Sequence, residues 1–145
     1  KVSQKFLINE KKSILYDTNK IKFWQNSIKL NMIKFKELFK KHKSKNKICF
    51  AYGAPTKATL LIKMTGLDEN DISFIVDDNK LKVGRFMPQM STNIKSSDDI
   101  EYDKSSLIVI FAWNFADDII KKLKSKFKAN VTIIVPLPNL KVVKI

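Results

Sequence analysis

The run Phe50-Ala51-Tyr52-Gly53-Ala54-Pro55-Thr56-Lys57-Ala58 constrains this chain most. An apolar stretch stops at a glycine and a proline, and helix-forming residues follow. That order reads as a strand ending in a tight loop that opens a helix. Such a junction aims backbone N–H groups, and the positive end of a helix dipole, at whatever lies above the sheet edge. Many α/β proteins hold a phosphate in this way. Gly53 supplies the bend, and Lys57 places a positive charge in the first helical turn. The chain has 3 glycines in all, so one placed here is informative.

The flanking sequence repeats the theme. Asp17 or Thr18 caps a long helix over residues 19–43, with 18–46 as its outer limits. Inside it Ile21, Trp24, Ile28, Met32, Phe35 and Phe39 recur at helical spacing and read as core packing. Part of so long a helix is expected to pack against an upstream region. A strand over 48–52 precedes the Gly53 loop. A helix over 56–64 follows and ends at Gly66. A second strand over 72–76 stops at Asp77-Asp78-Asn79, giving a parallel β-loop-α-β crossover. Residues 80–104 show weak periodicity, with an edge strand at 83–87 limited by Pro88. A strand over 106–112, a helix over 115–127 and a strand over 131–135 follow. Pro136 and Pro138 break that strand, and 140–145 adds a terminal one. Residues 1–17 read as the tail or remnant of an upstream domain, with Phe6-Leu7-Ile8 as its end or as a short strand. Residues 18–145 read as one α/β domain. The expected architecture is a Rossmann-like open, mostly parallel sheet with helices on both faces, preceded by the long N-terminal helix.

Composition narrows the function classes. A length of 145 residues suits one domain with a real core. No apolar run approaches the roughly 20 residues that span a bilayer. The start at Lys1, with no charged-then-apolar segment behind it, gives the expectation of a fragment. Cys49 is the single cysteine and lies in an apolar run, so neither an internal disulfide nor a multi-cysteine metal site is expected. A cytoplasmic location follows as the default. The net charge of +14 invites a nucleic-acid reading. However, Arg85 is the lone arginine among the 28 basic residues, and base and phosphate readers lean on the arginine fork. The lysines are also spread from end to end. His42, in the basic stretch ending the long helix, reads as structural or solvated.

In an open α/β sheet the ligand lies beyond the C-terminal strand ends, near the reversal of strand order. Three sequence positions converge there. The first is the Tyr52-Gly53-Ala54-Pro55 loop. The second is Asp77 and Asp78, which read either as carboxylates accepting a sugar hydroxyl or as a turn or cap. The third is Trp113 and Asn114: a base-stacking ring or a core plug, and a ligand-binding amide or an N-cap. Gly66 is the next glycine after Gly53, so the G-x-G-x-x-G fingerprint is absent, as is a Walker A loop. No Ser-His-Asp or Cys-His arrangement is available. No catalytic or metal-ligating residue is assigned.

Taken in order, the motifs resemble the C-terminal domain of S-adenosylmethionine-dependent sugar C-methyltransferases, which act on nucleotide-linked deoxysugars. The resemblance is carried by Ala51-Tyr52-Gly53-Ala54-Pro55-Thr56-Lys57, then Asp77-Asp78-Asn79, Lys82-Val83-Gly84 and Pro88-Gln89. Ala112-Trp113-Asn114-Phe115-Ala116 and Val135-Pro136-Leu137-Pro138 complete the set, which spans residues 48–143. Ala51, Ala58-Thr59 and Gln89 depart from the family pattern, and 90–94 fit its histidine-containing turn poorly. The resemblance implies a three-part enzyme: a cysteine-rich zinc region, a cofactor-binding methyltransferase domain, and this Rossmann-like domain, which anchors the nucleotide-sugar. S-adenosylmethionine would belong to the parent enzyme, with no cofactor in this chain. The upstream S-adenosylmethionine-binding domain would be its partner. Tyr52, Gly53, Ala54, Pro55 and Lys57 would then cradle the pyrophosphate, and Asp77 or Asp78 would take a sugar hydroxyl. Lys82 or Arg85 would add phosphate charge, and Trp113 and Asn114 would line the cleft. Two rivals stand beside this reading: a structural or interaction module that keeps the fold without the pocket, and a basic nucleic-acid-binding domain.

Overall fold

The computed structural model describes residues 2–13, 16–45, 48–101, 104–128 and 130–145. Helix α1 spans Val2–Lys11 and takes in Phe6, Leu7 and Ile8, so the alternative of a short strand is corrected. Among the described residues no strand lies alongside them to complete a ladder, whereas a helix satisfies its backbone groups locally. Helix α2 spans Thr18–Lys43. Asp17 caps it, its carboxylate accepting the Asn19 and Lys20 N–H groups at 3.1 Å each. Lys40, Lys41, His42 and Lys43 fill the last turn, where cations suit the dipole. Asn46 and Lys47, at the outer limit of the expected helix and its basic turn, lie outside the described residues.

Among the described residues six strands form one sheet: β1 (Ile48–Tyr52), β2 (Ile75–Val76), β3 (Ile94–Lys95), β4 (Ser106–Ile110), β5 (Val131–Val135) and β6 (Lys141–Lys144). Their spatial order is β3-β2-β1-β4-β5-β6, parallel throughout except for β6, which runs antiparallel to β5. Helix α3 (Ala58–Thr65) joins β1 to β2, and α4 (Ala116–Lys126) joins β4 to β5. This is the expected Rossmann-like α/β architecture. Strand periodicity sorts the core into two layers. Cys49, Ala51, Leu107 and Val109 face Met32, Phe35 and Phe39 of α2 and Leu61 and Ile62 of α3. Phe50, Tyr52, Ile108 and Ile110 face Ile119, Ile120 and Leu123 of α4. Asn31 Nδ2 donates to the Pro136 carbonyl at 3.0 Å, and Lys43 pairs with Asp71 at 2.7 Å, tying both ends of the buried half of α2 to the sheet loops.

The edge beyond β1 differs from expectation. The strand read over 72–76 is reduced to Ile75–Val76. Upstream of it, Ser73 still donates to the Cys49 carbonyl at 2.9 Å, outside a regular ladder. The edge strand expected at 83–87 is absent. Phe86 instead bridges Asn93 in a small antiparallel turn that leads into β3. Two-residue strands are too short to carry a periodic signal. Large apolar side chains stay exposed on α1 and the first part of α2: Phe6, Leu7, Ile8, Phe23, Trp24, Leu30 and Ile33. Among the described residues no helix is long and apolar enough to cross a membrane.

Candidate functional site

Strand order reverses between β1 and β4, so their C-terminal ends open the crevice of the fold. The Tyr52 carbonyl accepts the N–H groups of Phe111 (2.9 Å) and Ala112 (3.2 Å), which pins the two ends together. Gly53 follows with φ +89°, and a Cβ built there would stand 2.4 Å from the Ala112 Cβ. Glycine is therefore required twice: by the backbone angle and by the approach of the neighbouring strand end. The result is a narrow cleft of about 240 Å³, lined by Tyr52, Gly53, Pro55, Asp77, Asp78, Lys82, Ala112, Phe115 and Ile119.

Asp77 controls the shape of the loop. It is buried at 7% exposure, and one carboxylate oxygen accepts the Ala54 N–H at 2.7 Å and the Lys82 ammonium at 3.0 Å. The other oxygen accepts the Asn79 N–H at 2.9 Å. Gly53 N–H donates to the Val76 carbonyl at 2.6 Å. The first two donors of the loop are thus used within the protein, and Pro55 has none. The Thr56 and Lys57 N–H groups, just ahead of α3, have no hydrogen-bond partner among the described residues.

A second cluster forms the facing wall. The Tyr52 hydroxyl donates to the Asp78 carboxylate (2.9 Å to the nearer oxygen), and Lys122 from α4 donates to Asp78 at 2.7 Å and to the Tyr52 oxygen at 2.8 Å. Ser97 lies 3.4 Å from the ammonium. Burial works against the charge of Lys122, yet its hydrogen bonds to Asp78 and Tyr52 prevail and raise its pKa. Burial likewise opposes the Asp78 charge, but donors from Lys122, Ser97 and Tyr52 hold its carboxyl below the usual range. Burial and the neighbouring carboxylate push the Tyr52 phenol up, against the pull of Lys122. An ammonium, a carboxylate and a neutral phenol are therefore locked together near neutral pH. The Asp78 side chain is 53% exposed and keeps lone pairs open to the cleft.

Comparison with known proteins fits this geometry. Residues 1–138 match the family described as the C-methyltransferase C-terminal domain. The chain belongs to that family. It is also 33% identical over 92 residues to the C-methyltransferase NovU of Streptomyces niveus. That match takes in 63% of this chain and 22% of the relative, so the chain corresponds to a part of the relative's length.

Within this C-methyltransferase domain, the residues singled out in the sequence separate into two sets. Tyr52, Gly53, Pro55, Asp77, Asp78 and Lys82 meet in the cleft. Ala54 contributes its N–H to Asp77 behind it. Lys57 lies over the Trp113 ring, 4.1 Å from its centroid, and burial lowers its pKa. Trp113 is half-buried and packs against both core layers. Asn114 and Arg85 are exposed and do not line the cleft. Phe115, Ile119 and Lys122 belong to the site but were not singled out. Ile119 and Lys122 carry the ordinary pattern of an amphipathic helix, and Phe115 sits one residue past the Trp-Asn pair that drew attention. The departure at Gln89 also has a structural counterpart: its φ of +68° is the left-handed conformation that favours glycine.

A larger groove of about 680 Å³ runs between α2 and the chain after β5, lined by Trp24, Ile28, Asn31, Lys34, Leu137 and Leu140 among others. Among the described residues that line it, Lys34 is the one ionisable side chain. The smaller cleft brings together three charged groups, and its chemistry, more than its size, marks it as the candidate site. Among the described residues no cluster of His, Cys, Asp or Glu is arranged to hold a metal ion.

Proposed function

We propose that this domain anchors the nucleotide-linked deoxysugar of an S-adenosylmethionine-dependent sugar C-methyltransferase. The observation that carries the reading is the cleft at the β1/β4 reversal, with Tyr52, Asp78 and Lys82 on its walls, in a chain of this family. Asp78 accepts a hydroxyl of the ligand. Lys82, and Lys57 on leaving the Trp113 ring, supply positive charge to the phosphates, beside the open Thr56 and Lys57 N–H groups. Asp77 holds the loop in shape and contacts no ligand directly. In this reading S-adenosylmethionine and the proton-abstracting base reside on a partner domain, and the exposed apolar side chains of α1 and α2 offer it a docking surface. Calorimetric titration of the full-length enzyme with a nucleoside-diphosphate sugar tests the proposal. Saturable binding that is lost in Asp78→Ala and weakened in Lys82→Ala is expected. Absence of any binding by the full-length enzyme would refute it.

A second reading has specific support. The Gly53 and Ala54 N–H groups are closed off internally, and apolar side chains crowd the exposed helices. Both suit a domain that docks a neighbour without binding a ligand. The same titration separates the two, because this reading expects no saturable binding.

A further inference from the structure

We infer that Lys122 is a positioning residue of the cleft: it fixes the Asp78 carboxylate and cancels its charge, so that an anionic ligand meets an acceptor that does not repel it. The inference rests on the nucleotide-sugar reading above and adds the residue that makes one of its contacts workable. A nucleotide-linked sugar brings negative phosphates to a cleft that already contains Asp77 and Asp78. An unpaired carboxylate there would oppose the ligand it is to hold. Asp77 has its own counter-charge, the Lys82 ammonium at 3.0 Å. Lys82 is the lysine among the residues lining the cleft, and it is committed to Asp77. Asp78 needs a second one.

It comes from behind the wall. Ile119 of α4 lines the cleft, and Lys122, three residues on, lies on the same side of that helix. Lys122 itself is not among the lining residues. An ammonium has three hydrogens to donate, and three oxygens surround this one: Asp78 at 2.7 Å, Tyr52 at 2.8 Å and Ser97 at 3.4 Å. No donor is left for a ligand, so Lys122 acts through Asp78. The Tyr52 hydroxyl closes the triangle from β1, donating to the same carboxylate at 2.9 Å. Two elements thus hold one side chain in a single orientation at the cleft. The pair is only part-buried, its side chains 34% and 53% exposed, and pairs of that exposure add little to folding stability. Its place beside the cleft is where its charge balance matters.

The full-length enzyme is titrated by calorimetry with UDP-glucose and with its thymidine counterpart, as wild type, Lys122→Met and the double variant Asp78→Asn/Lys122→Met. Lys122→Met should weaken binding roughly tenfold, the scale of one unpaired charge acting across a partly solvated cleft. The gap from wild type should narrow as salt is raised, because screening weakens that repulsion. The double variant removes both charges and keeps an acceptor oxygen at position 78, so it should bind more tightly than Lys122→Met and regain most of the loss. A merely structural role for Lys122 expects no such recovery and no salt dependence of the gap. Methionine is a good helix former, so α4 should persist; Lys122→Gln makes the same comparison if Lys122→Met does not fold. Wild-type affinity in the single variant overturns this inference alone, as does a gap unmoved by salt or a double variant that binds no more tightly than the single one. Failure of both ligands to bind the wild type overturns the nucleotide-sugar reading, and this inference with it.

Discussion

Replacing Gly53 by alanine tests the geometry on which the site depends. Two costs add. The φ of +89° is a conformation that L side chains rarely adopt, at about 1–2 kcal/mol. The new Cβ would also lie 2.4 Å from the Ala112 Cβ, 3.0 Å from its N and 3.3 Å from its Cα, so backbone as well as a methyl group must move. Overpacking of that kind costs about 1–3 kcal/mol. The restricted unfolded chain returns about 0.4–1 kcal/mol. The net loss is roughly 1–5 kcal/mol, a substantial part of the ~5–15 kcal/mol that holds a typical domain folded. For a chain near this length it lowers the melting temperature by roughly 3–20 °C. Thermal and urea unfolding followed by circular dichroism give the measurement. Ala112→Gly in the same chain removes the closest contact but neither the backbone contacts nor the φ cost. The double variant should therefore recover about 1–2 kcal/mol as a coupling term. A Gly53→Ala protein that melts with the wild type refutes the reasoning, as does a double variant with no recovery.

Other outcomes follow from the same structure. Asp77→Ala strips three hydrogen bonds from a buried carboxylate and strands the Ala54 N–H, so it should cost about 2–4 kcal/mol and expose the 53–57 loop to limited proteolysis. Gln89→Gly relieves the φ of +68° and should stabilise by about 0.5–1 kcal/mol in urea unfolding, whereas Gln89→Ala should not. Because the Lys122 and Tyr52 pKa values are raised, their contribution is complete below pH 10 and is lost as pH climbs through the folded-state values. Asp78, whose value is lowered from 3.8, contributes above that pH and loses its share as acid protonates the folded carboxyl. Urea midpoints measured from pH 3 to 11 should fall at both ends, and more shallowly in Lys122→Met. Cys49 is buried, its thiol pushed up to about 12, so it should resist a disulfide reagent at pH 8 until the protein unfolds.

Long, strongly patterned elements were legible from the chain alone. Strand β1, β5 and helix α2 were read within a residue or two of their ends, because continuous apolar runs and a capped helical stripe are local signals. The glycine at Gly53 was legible for the same reason, and so was the carboxylate pair that follows β2. Strand β3 was not, since two residues pair there only because β2 lies beside them. The helical state of Phe6, Leu7 and Ile8 was equally hidden, as three consecutive apolar residues suit a strand as well as a helix.

The candidate site divides along the same line. Residue type and order determined by themselves that a phosphate-style loop, an acidic strand end and a Trp-Asn strand end belong to one sheet edge, and pointed to one family. Tertiary structure alone decided what each group does there. Asp77 turned out to close the loop from 23 residues away, Lys122 to reach Tyr52 from 70 residues away, and Phe115 rather than Asn114 to face the cleft. Hydrogen bonds and steric contacts act over a few ångströms in space, whatever the separation along the chain. Sequence patterns report the faces of single elements, and the partners across those faces are set when the sheet assembles.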